Sequence, residues 1–200
     1  MRKLLLIRHG ESEADILHVH EGRADFPLTM RGHQQARAMG NWVAEQYTVD
    51  MIFASTLCRA VQTAEYLSGA TGVAICFDDD LMEFNNGLLA GLPFEEAAVR
   101  YPKIENLPPD QSVYGQETQF EFRERADRAL KRCLAAVPDG ATAAIISHGG
   151  MINQIFASLI GLAPASTPRF LTGDTGIHLW YLTDEGPKLM YANRQDHLNL

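Results

Sequence analysis

The first twelve residues constrain the fold more than any other stretch. Leu4-Leu5-Leu6-Ile7 is an unbroken apolar run that stops abruptly at Arg8-His9-Gly10-Glu11-Ser12. Such a run reads as a buried strand and is far too short to span a membrane. Gly10 lets the chain turn, because glycine reaches φ angles closed to other residues. Arg8 and His9 therefore stand at the C-terminal end of a strand, where open α/β sheets place their ligands. An arginine beside a histidine there suggests an anion site that holds a nucleophile or a base. A basic strand end solvated at the surface fits these residues equally well.

The rest of the chain repeats strand and helix signals in alternation. Glu11–Phe26 is polar and irregular, a loop long enough to be functional. A helix is expected from Met30 to about Tyr47, capped by Thr29, with Ala36, Met39, Trp42-Val43 and Tyr47 on its core face. Met51–Ala54 reads as a second strand and Leu57–Ser68 as a second helix, which Ser55-Thr56 can cap and Gly69 and Gly72 end. Val73–Phe77 makes a third strand. Pro93–Arg100 suits a short helix, and Gln116–Val137 a long one. Ala141–Ile146 is a fourth strand, Met151–Ile160 a helix and Pro164–Gly176 a loop. Ile177–Leu182 and Lys188–Ala192 form a terminal hairpin, followed by a polar surface tail, Asn193–Leu200. The expected fold is a three-layer α/β sandwich: a mostly parallel central sheet with helices on both faces. One domain over residues 1–200 is expected, with a small cap-like excursion at about 84–115.

Composition narrows the partners. The formal net charge of −8 argues against nucleic acid and against an anionic membrane surface. It leaves a small anionic substrate open, because a few converging arginines make a local positive pocket on an acidic protein. Four apolar residues after Arg2-Lys3, with no small-residue cleavage site behind them, do not make a signal peptide. Cys58, Cys76 and Cys133 are odd in number, widely spaced and without a CxxC pair, which suits a reducing cytoplasm rather than a disulfide framework or zinc site.

Two places share one design, an apolar strand followed by a histidine and glycine: Leu4–Ile7 before Arg8-His9-Gly10, and Ala143–Ile146 before Ser147-His148-Gly149-Gly150. If both strands are parallel and central, both histidines reach one edge of the sheet, with the N-terminus of the helix from Met151 aimed at the same place. A third strand end, Ala54-Ser55-Thr56, leads to Arg59 on the first turn of a helix. Two arginines and two histidines at one edge suit phosphate or sulfate, whose oxygens planar guanidinium groups grip with paired hydrogen bonds.

These residues carry a resemblance. Leu6-Ile7-Arg8-His9-Gly10-Glu11-Ser12 resembles the signature of the histidine phosphatase superfamily, which includes the cofactor-dependent phosphoglycerate mutases. Gly22, Asp25 and Pro27-Leu28-Thr29 with Gly32 and Gln35-Ala36 resemble its second segment. Ser55–Ala64 is similar to its arginine-bearing helix, and Ser147–Gly150 to its second histidine motif. The match runs over nearly the whole chain and is most similar in pattern to the small broad-specificity phosphatases. The resemblance implies that His9 is the nucleophile and forms a phosphohistidine. It implies that Arg8, Arg59 and His148 hold the phosphoryl oxygens and stabilise the transition state. Glu83, after Leu81-Met82, stands where the family keeps its acid/base carboxylate. Ser12, Asp15, Glu21, Gly22 and Gly149 fall in the segments that would bind phosphate, whereas Glu11 would anchor the loop. No metal and no cofactor is expected.

Two departures matter. Asp15 stands where the family usually has asparagine, and Glu21 where an uncharged polar residue is more usual. Asp15 could be protonated, paired with an arginine such as Arg23, or turned away as a turn carboxylate without a ligand role. His18-Val19-His20 has alternate spacing suited to metal ligands but lacks a partner set. His33 and His178 read as structural or exposed, and Cys58 as core filler.

The mutases of the family are longer and carry extra basic residues after the acid/base glutamate. Here Glu83–Arg100 holds only Arg100, and the stretch to Gly115 adds only Lys103. Phe84, Asn85, Asn86, Leu88, Phe94 and Tyr101 are the candidates to shape the substrate pocket. The expectation is a metal-independent phosphomonoesterase acting on a small phosphorylated metabolite. The alternatives are a cofactor-dependent phosphoglycerate mutase, and a weakly active phospho-ligand-binding protein. A homodimer is the one protein assembly left open.

Overall fold

The computed structural model describes residues 1–166 and 170–198. Six strands form one sheet: β1 (Arg2–Arg8), β2 (Met51–Ala54), β3 (Ile75–Phe77), β4 (Thr142–Ser147), β5 (Ile177–Thr183) and β6 (Gly186–Arg194). Their order is β3-β2-β4-β1-β5-β6. The first four are parallel, while β5 and β6 add an antiparallel edge beside β1. The helices are α1 (Glu13–Leu17), α2 (Met30–Gln46), α3 (Cys58–Thr71), α4 (Phe94–Arg100), α5 (Gln119–Ala136) and α6 (Gly149–Leu159).

The apolar run of β1 explains the three layers. Side chains alternate across a strand, so Leu4 and Leu6 enter one core and Leu5 and Ile7 the other. The first core holds Ala126, Leu130 and Cys133 of α5 and Ile152, Ile155 and Phe156 of α6. The second holds Met39 and Val43 of α2 and Ala60, Ala64 and Leu67 of α3. All four β1 side chains are fully buried, each stabilising the fold by about 1.5–3 kcal/mol relative to exposure. A strand apolar on both faces can lie only between two helical layers.

Several local expectations shift. The 11–26 stretch contains α1, because Ser12 and Asp15 form a capping box at its start. Helix α3 runs through Gly69 and ends at Gly72, which is left-handed (φ 74°). Helix α5 begins at Gln119, since Thr118 accepts the Glu121 N–H and stops it from starting earlier. Helix α6 begins at once after His148, its N-cap. The tail is not simply a polar surface segment. Asn193 and Arg194 extend β6, and His197 is buried, with its Nε2 2.8 Å from Thr175 Oγ1. Residues 167–169 of the expected 164–176 loop, and 199–200 of the tail, lie outside the described residues. Among the described residues no helix is long and apolar enough to cross a membrane.

Candidate active site

Strand register brings the two histidines together. Ile7 pairs with Ile146 and Arg8 with Ser147, so His9 and His148 leave the sheet side by side. Their ring centroids are 5.1 Å apart, and both residues are buried. Arg59, at the start of α3 behind the parallel strand β2, reaches the same edge, and its Nε donates to His9 Nε2 at 3.3 Å.

The rings use opposite nitrogens. His9 Nδ1 donates to the Gly10 carbonyl at 2.7 Å, which leaves a lone pair on Nε2. His148 instead places Nε2 2.8 Å from Ser55 Oγ. Ser55 Oγ also accepts the Leu57 N–H at 3.3 Å, and its own hydrogen is free to donate to His148 Nε2. With that hydrogen on Nε2, the proton of His148 sits on Nδ1, which is buried without a protein partner. Ser55 thus orients a histidine, and Leu57 rather than Ser55 or Thr56 is the N-cap of α3. Both imidazoles are held neutral. Burial pushes each pKa well below the usual histidine range, and the Arg59 guanidinium pushes further in the same direction.

Arg59 is fully buried. Its Nη1 and Nη2 donate to the carbonyls of Ala24 and Gly22 at 3.1 and 2.8 Å. Gly22 is left-handed (φ 48°), and a Cβ there would overlap the Asn86 side chain, so the chain can turn its carbonyl onto Arg59 only with glycine. Arg8 Nη1 donates to the Thr172 carbonyl at 2.9 Å and lies 3.5 Å from Asp174. Burial raises the Asp174 carboxyl above the usual range, with Arg8 pulling the other way.

Of the alternatives open for Asp15, the structure gives a turn carboxylate that also lies near an arginine, Arg8 rather than Arg23. Asp15 accepts from Ser12 N (2.9 Å) and Ser12 Oγ (3.1 Å) and lies 3.8 Å from Arg8. Arg23 goes to Glu117 at 3.9 Å. The cause is local: Asp15 is the third residue of α1 and closes its capping box. Ser12, a candidate phosphate ligand, therefore has its hydroxyl engaged within its own loop. Glu11 anchors the loop, accepting from Thr29 Oγ1 at 2.7 Å and pairing with Arg31 at 3.4 Å. Glu21 lies in the middle of the cluster. Its Oε1 is 3.2 Å from Arg59 Nε and its Oε2 3.9 Å from His9 Nε2.

Glu83 sits across from the α6 N-terminus. Its Oε2 accepts the Gly150 N–H at 2.8 Å, and its Oε1 the Phe84 N–H at 2.7 Å. A Cβ on Gly150 would overlap this carboxylate, so the second glycine of the His148 motif makes room for it. Gly149, the residue between, opens α6. The loop that carries Glu83 is held by Arg125 of α5. Its guanidinium donates to the carbonyls of Asp80 (2.9 Å), Met82 (2.7 Å) and Glu83 (3.1 Å), and to Glu117 at 2.6 Å. Ser147 Oγ ties β4 to the same loop through the Leu81 carbonyl at 2.7 Å.

Of the proposed pocket residues, Phe94 and Tyr101 line an apolar cavity of about 500 Å³ with Leu89, Ile104 and Tyr114. Phe84 packs inward on Phe122 instead, and Asn86 is buried against Gly22. His18 ends α1 in a left-handed conformation, and His20 packs edge-on against Phe94. His33 meets Tyr66, and His178 is buried with Thr172 and the Asn193 N–H as partners. Sequence reading did not find Asp174, Arg125 or the orienting role of Ser55. The signals were weak: a polar residue just before a strand, an arginine on the buried face of a long helix, and a serine with a competing reading as a cap.

Comparison with known proteins places this arrangement. The family model of the histidine phosphatase superfamily (branch 1) matches residues 4–195. A probable phosphoglycerate mutase GpmB of Salmonella choleraesuis is 33% identical over 176 residues, covering 86% of this chain and 80% of that protein. Among solved structures, a phosphoserine phosphatase from Entamoeba histolytica in complex with 3-phosphoglyceric acid is 27% identical, with a TM-score of 0.80 over 99% of this chain and 100% of that one. A putative alpha-ribazole-5'-P phosphatase from Escherichia coli is 22% identical, with a TM-score of 0.88 over 97% of each chain, and shares the fold. With its histidine-bearing strand ends, its arginine-bearing helix and a family match over nearly its full length, the chain belongs to the histidine phosphatase superfamily.

Proposed function

We propose that this chain is a metal-independent phosphomonoesterase that hydrolyses a small phosphorylated metabolite through a phosphohistidine on His9. One observation carries the reading: His9 presents the Nε2 lone pair to Arg59, while the Nδ1 of the neighbouring His148 is buried without a protein partner. In the proposed reaction His9 Nε2 attacks phosphorus, and the bond from phosphorus to the ester oxygen breaks. The leaving oxygen takes a proton from Glu83. Arg8, Arg59 and His148 Nδ1–H hold the phosphoryl oxygens, so the charge is met by positions set in advance. Water then attacks the phosphohistidine and gives its proton to Glu83, releasing phosphate and neutral His9. A neutral imidazole is the competent nucleophile, and burial keeps it so at neutral pH.

A second reading is a phosphoglycerate mutase, which the 33% identity to GpmB favours. The cap weighs against it. The 83–115 stretch holds two basic residues, and each has a carboxylate beside it that offsets its charge: Glu96 lies 2.7 Å from Arg100 and Glu105 3.7 Å from Lys103. A weakly active phospho-ligand binder is the third reading, motivated by Asp15 and Glu21 beside the arginines. Hydrolysis of a chromogenic phosphate monoester in the presence of a chelator, with a phosphoryl adduct mapped to His9, is the expected result. Turnover that needs added metal, or that persists in His9→Ala, sinks the mechanism. Faster interconversion of the two monophosphoglycerates, with bisphosphoglycerate present, would select the mutase.

A further inference from the structure

Glu21 occupies a position that the mechanism leaves unexplained. Its carboxylate stands between the two groups that must meet the phosphoryl group, with Oε1 3.2 Å from Arg59 Nε and Oε2 3.9 Å from His9 Nε2. Oε1 is buried and makes no aligned hydrogen bond, because the Arg59 Nε–H is turned to His9 Nε2. The carboxylate is thus held by the Arg59 charge, with the Ser12 hydroxyl also beside it, and faces the lone pair of the nucleophile.

We propose that Glu21 makes phosphoryl binding proton-coupled: the occupied site carries one proton shared between the Glu21 carboxyl and a phosphoryl oxygen. This rests on the phosphatase reading above and adds how the site selects the protonation state of its ligand. A phosphoryl dianion entering next to an ionised Glu21 would place two anions against the one Arg59 guanidinium. Its Nη1 and Nη2 each spend a hydrogen on the Ala24 and Gly22 carbonyls, which fixes the guanidinium in place. One shared proton removes the conflict. Carried on Glu21, it lets the carboxyl donate to the dianion; carried on phosphate, it lets the carboxylate accept from the monoanion. The two descriptions contain the same atoms and the same charge.

The surrounding charges fit. Facing Glu21 are Arg59 from α3, Arg8 and His9 from the end of β1, and Asp15 from α1, with the neutral His148 behind His9. Asp15 and Asp174 already lie against Arg8, at 3.8 and 3.5 Å. The two arginines therefore meet three carboxylates before any ligand arrives. Burial raises the Glu21 carboxyl above the usual range, with Arg59 pulling it back, so a proton is within its reach.

The test is calorimetric titration of the whole protein with inorganic phosphate, in buffers of different ionisation heat. It is run at about pH 8, above the second ionisation of inorganic phosphate, where the free ligand is mainly the dianion. The wild type is expected to take up about one proton per phosphate bound. Glu21→Gln, close in size and able to donate an amide N–H, is expected to take up almost none. It should also bind phosphate roughly tenfold tighter for each pH unit above the titration of Glu21. Glu83→Gln should keep the uptake. Equal uptake in wild type and Glu21→Gln, uptake lost in Glu83→Gln instead, or weaker phosphate binding by Glu21→Gln at that pH overturns the inference and leaves the phosphatase reading standing. Failure of the wild type both to bind phosphate and to turn over any ester overturns the phosphatase reading, and the inference with it.

Discussion

His9 and His148 occupy equivalent places. Each follows an apolar parallel strand, each precedes glycine, and register sets them beside one another with ring centroids 5.1 Å apart. Yet they are tied down by opposite ring nitrogens. His9 is pinned through Nδ1 to the carbonyl of the next residue, His148 through Nε2 to a hydroxyl 93 positions away in sequence. One ring therefore offers its Nε2 to the site and the other its Nδ1. In the proposed mechanism the same local motif yields a nucleophile or a hydrogen-bond donor according to which partner fixes the tautomer.

The largest test breaks this asymmetry directly. His9→Ala should lose about 10⁴-fold or more in kcat and form no phosphoryl adduct. His148→Ala should lose about 10²–10³-fold, the cost of one preorganised donor, while still accumulating an adduct on His9. Equal losses, with no adduct in either, would mean that the rings share one role.

A second test concerns the proposed proton donor, Glu83. Arg125 holds three carbonyls of the loop bearing Glu83, so Arg125→Met should impair proton donation rather than phosphate binding. Loss of a general acid costs about 10²-fold or more on an alkyl phosphate, and Arg125→Met should show part of that loss. Nitrophenyl phosphate, whose leaving group needs no proton, should be spared in kcat/KM, which reads the transfer to His9 before Glu83 acts as base for water. An equal loss of kcat/KM on both esters would reduce Arg125 to a purely structural residue.

Ser55 sharpens the comparison with a smaller effect. Ser55→Ala removes the partner that places the His148 proton on Nδ1. About 1 kcal/mol of orientation is at stake, so kcat should fall roughly fivefold to tenfold, with the thermal midpoint little changed. Ser55→Thr, which keeps the hydroxyl, should recover most of the activity. A kcat for Ser55→Ala equal to that of the wild type would remove Ser55 from the site.

The smallest effect is on stability. His178 and His197 are buried and held down to about 4, and His9 and His148 are lowered as well. Their unfolded pKa is about 6.5. Below that pH the unfolded chain takes up protons that the folded one refuses. The stability these histidines contribute is whole above about pH 6.5 and is lost as pH falls toward about 4. Denaturant titrations across that window should show a falling midpoint. His178→Gln should have a shallower slope, whatever its stability at neutral pH; an unchanged slope would contradict the assignment.

Much of this was legible in the order of residues. Leu4–Ile7 announced a strand buried on both faces, and the strand-histidine-glycine pattern at His9 and His148 announced two histidine-bearing strand ends. The arginine on the first turn after β2 announced Arg59. These signals are local, and a strand end or a first helical turn has few ways to point its side chain. The acidic departures at Asp15 and Glu21 were equally visible, but their partners were not. Asp15 could be protonated, paired with an arginine such as Arg23, or turned away; it closes the cap of α1 and leans on Arg8.

What the sequence by itself determined is the layered sheet and the side-chain types at its edge, because hydrophobic periodicity and short motifs act over a few residues. The tertiary structure decided which atoms meet. Parallel register put Ser147 beside Arg8, and so His148 beside His9. The approach of β2 to β4 put Ser55 on His148. The antiparallel strand β5 put Asp174 against Arg8, and the packing of α5 put Arg125 under Glu83. Each of these contacts joins residues more than 40 positions apart, where loop closure and packing, not local propensity, choose the partner.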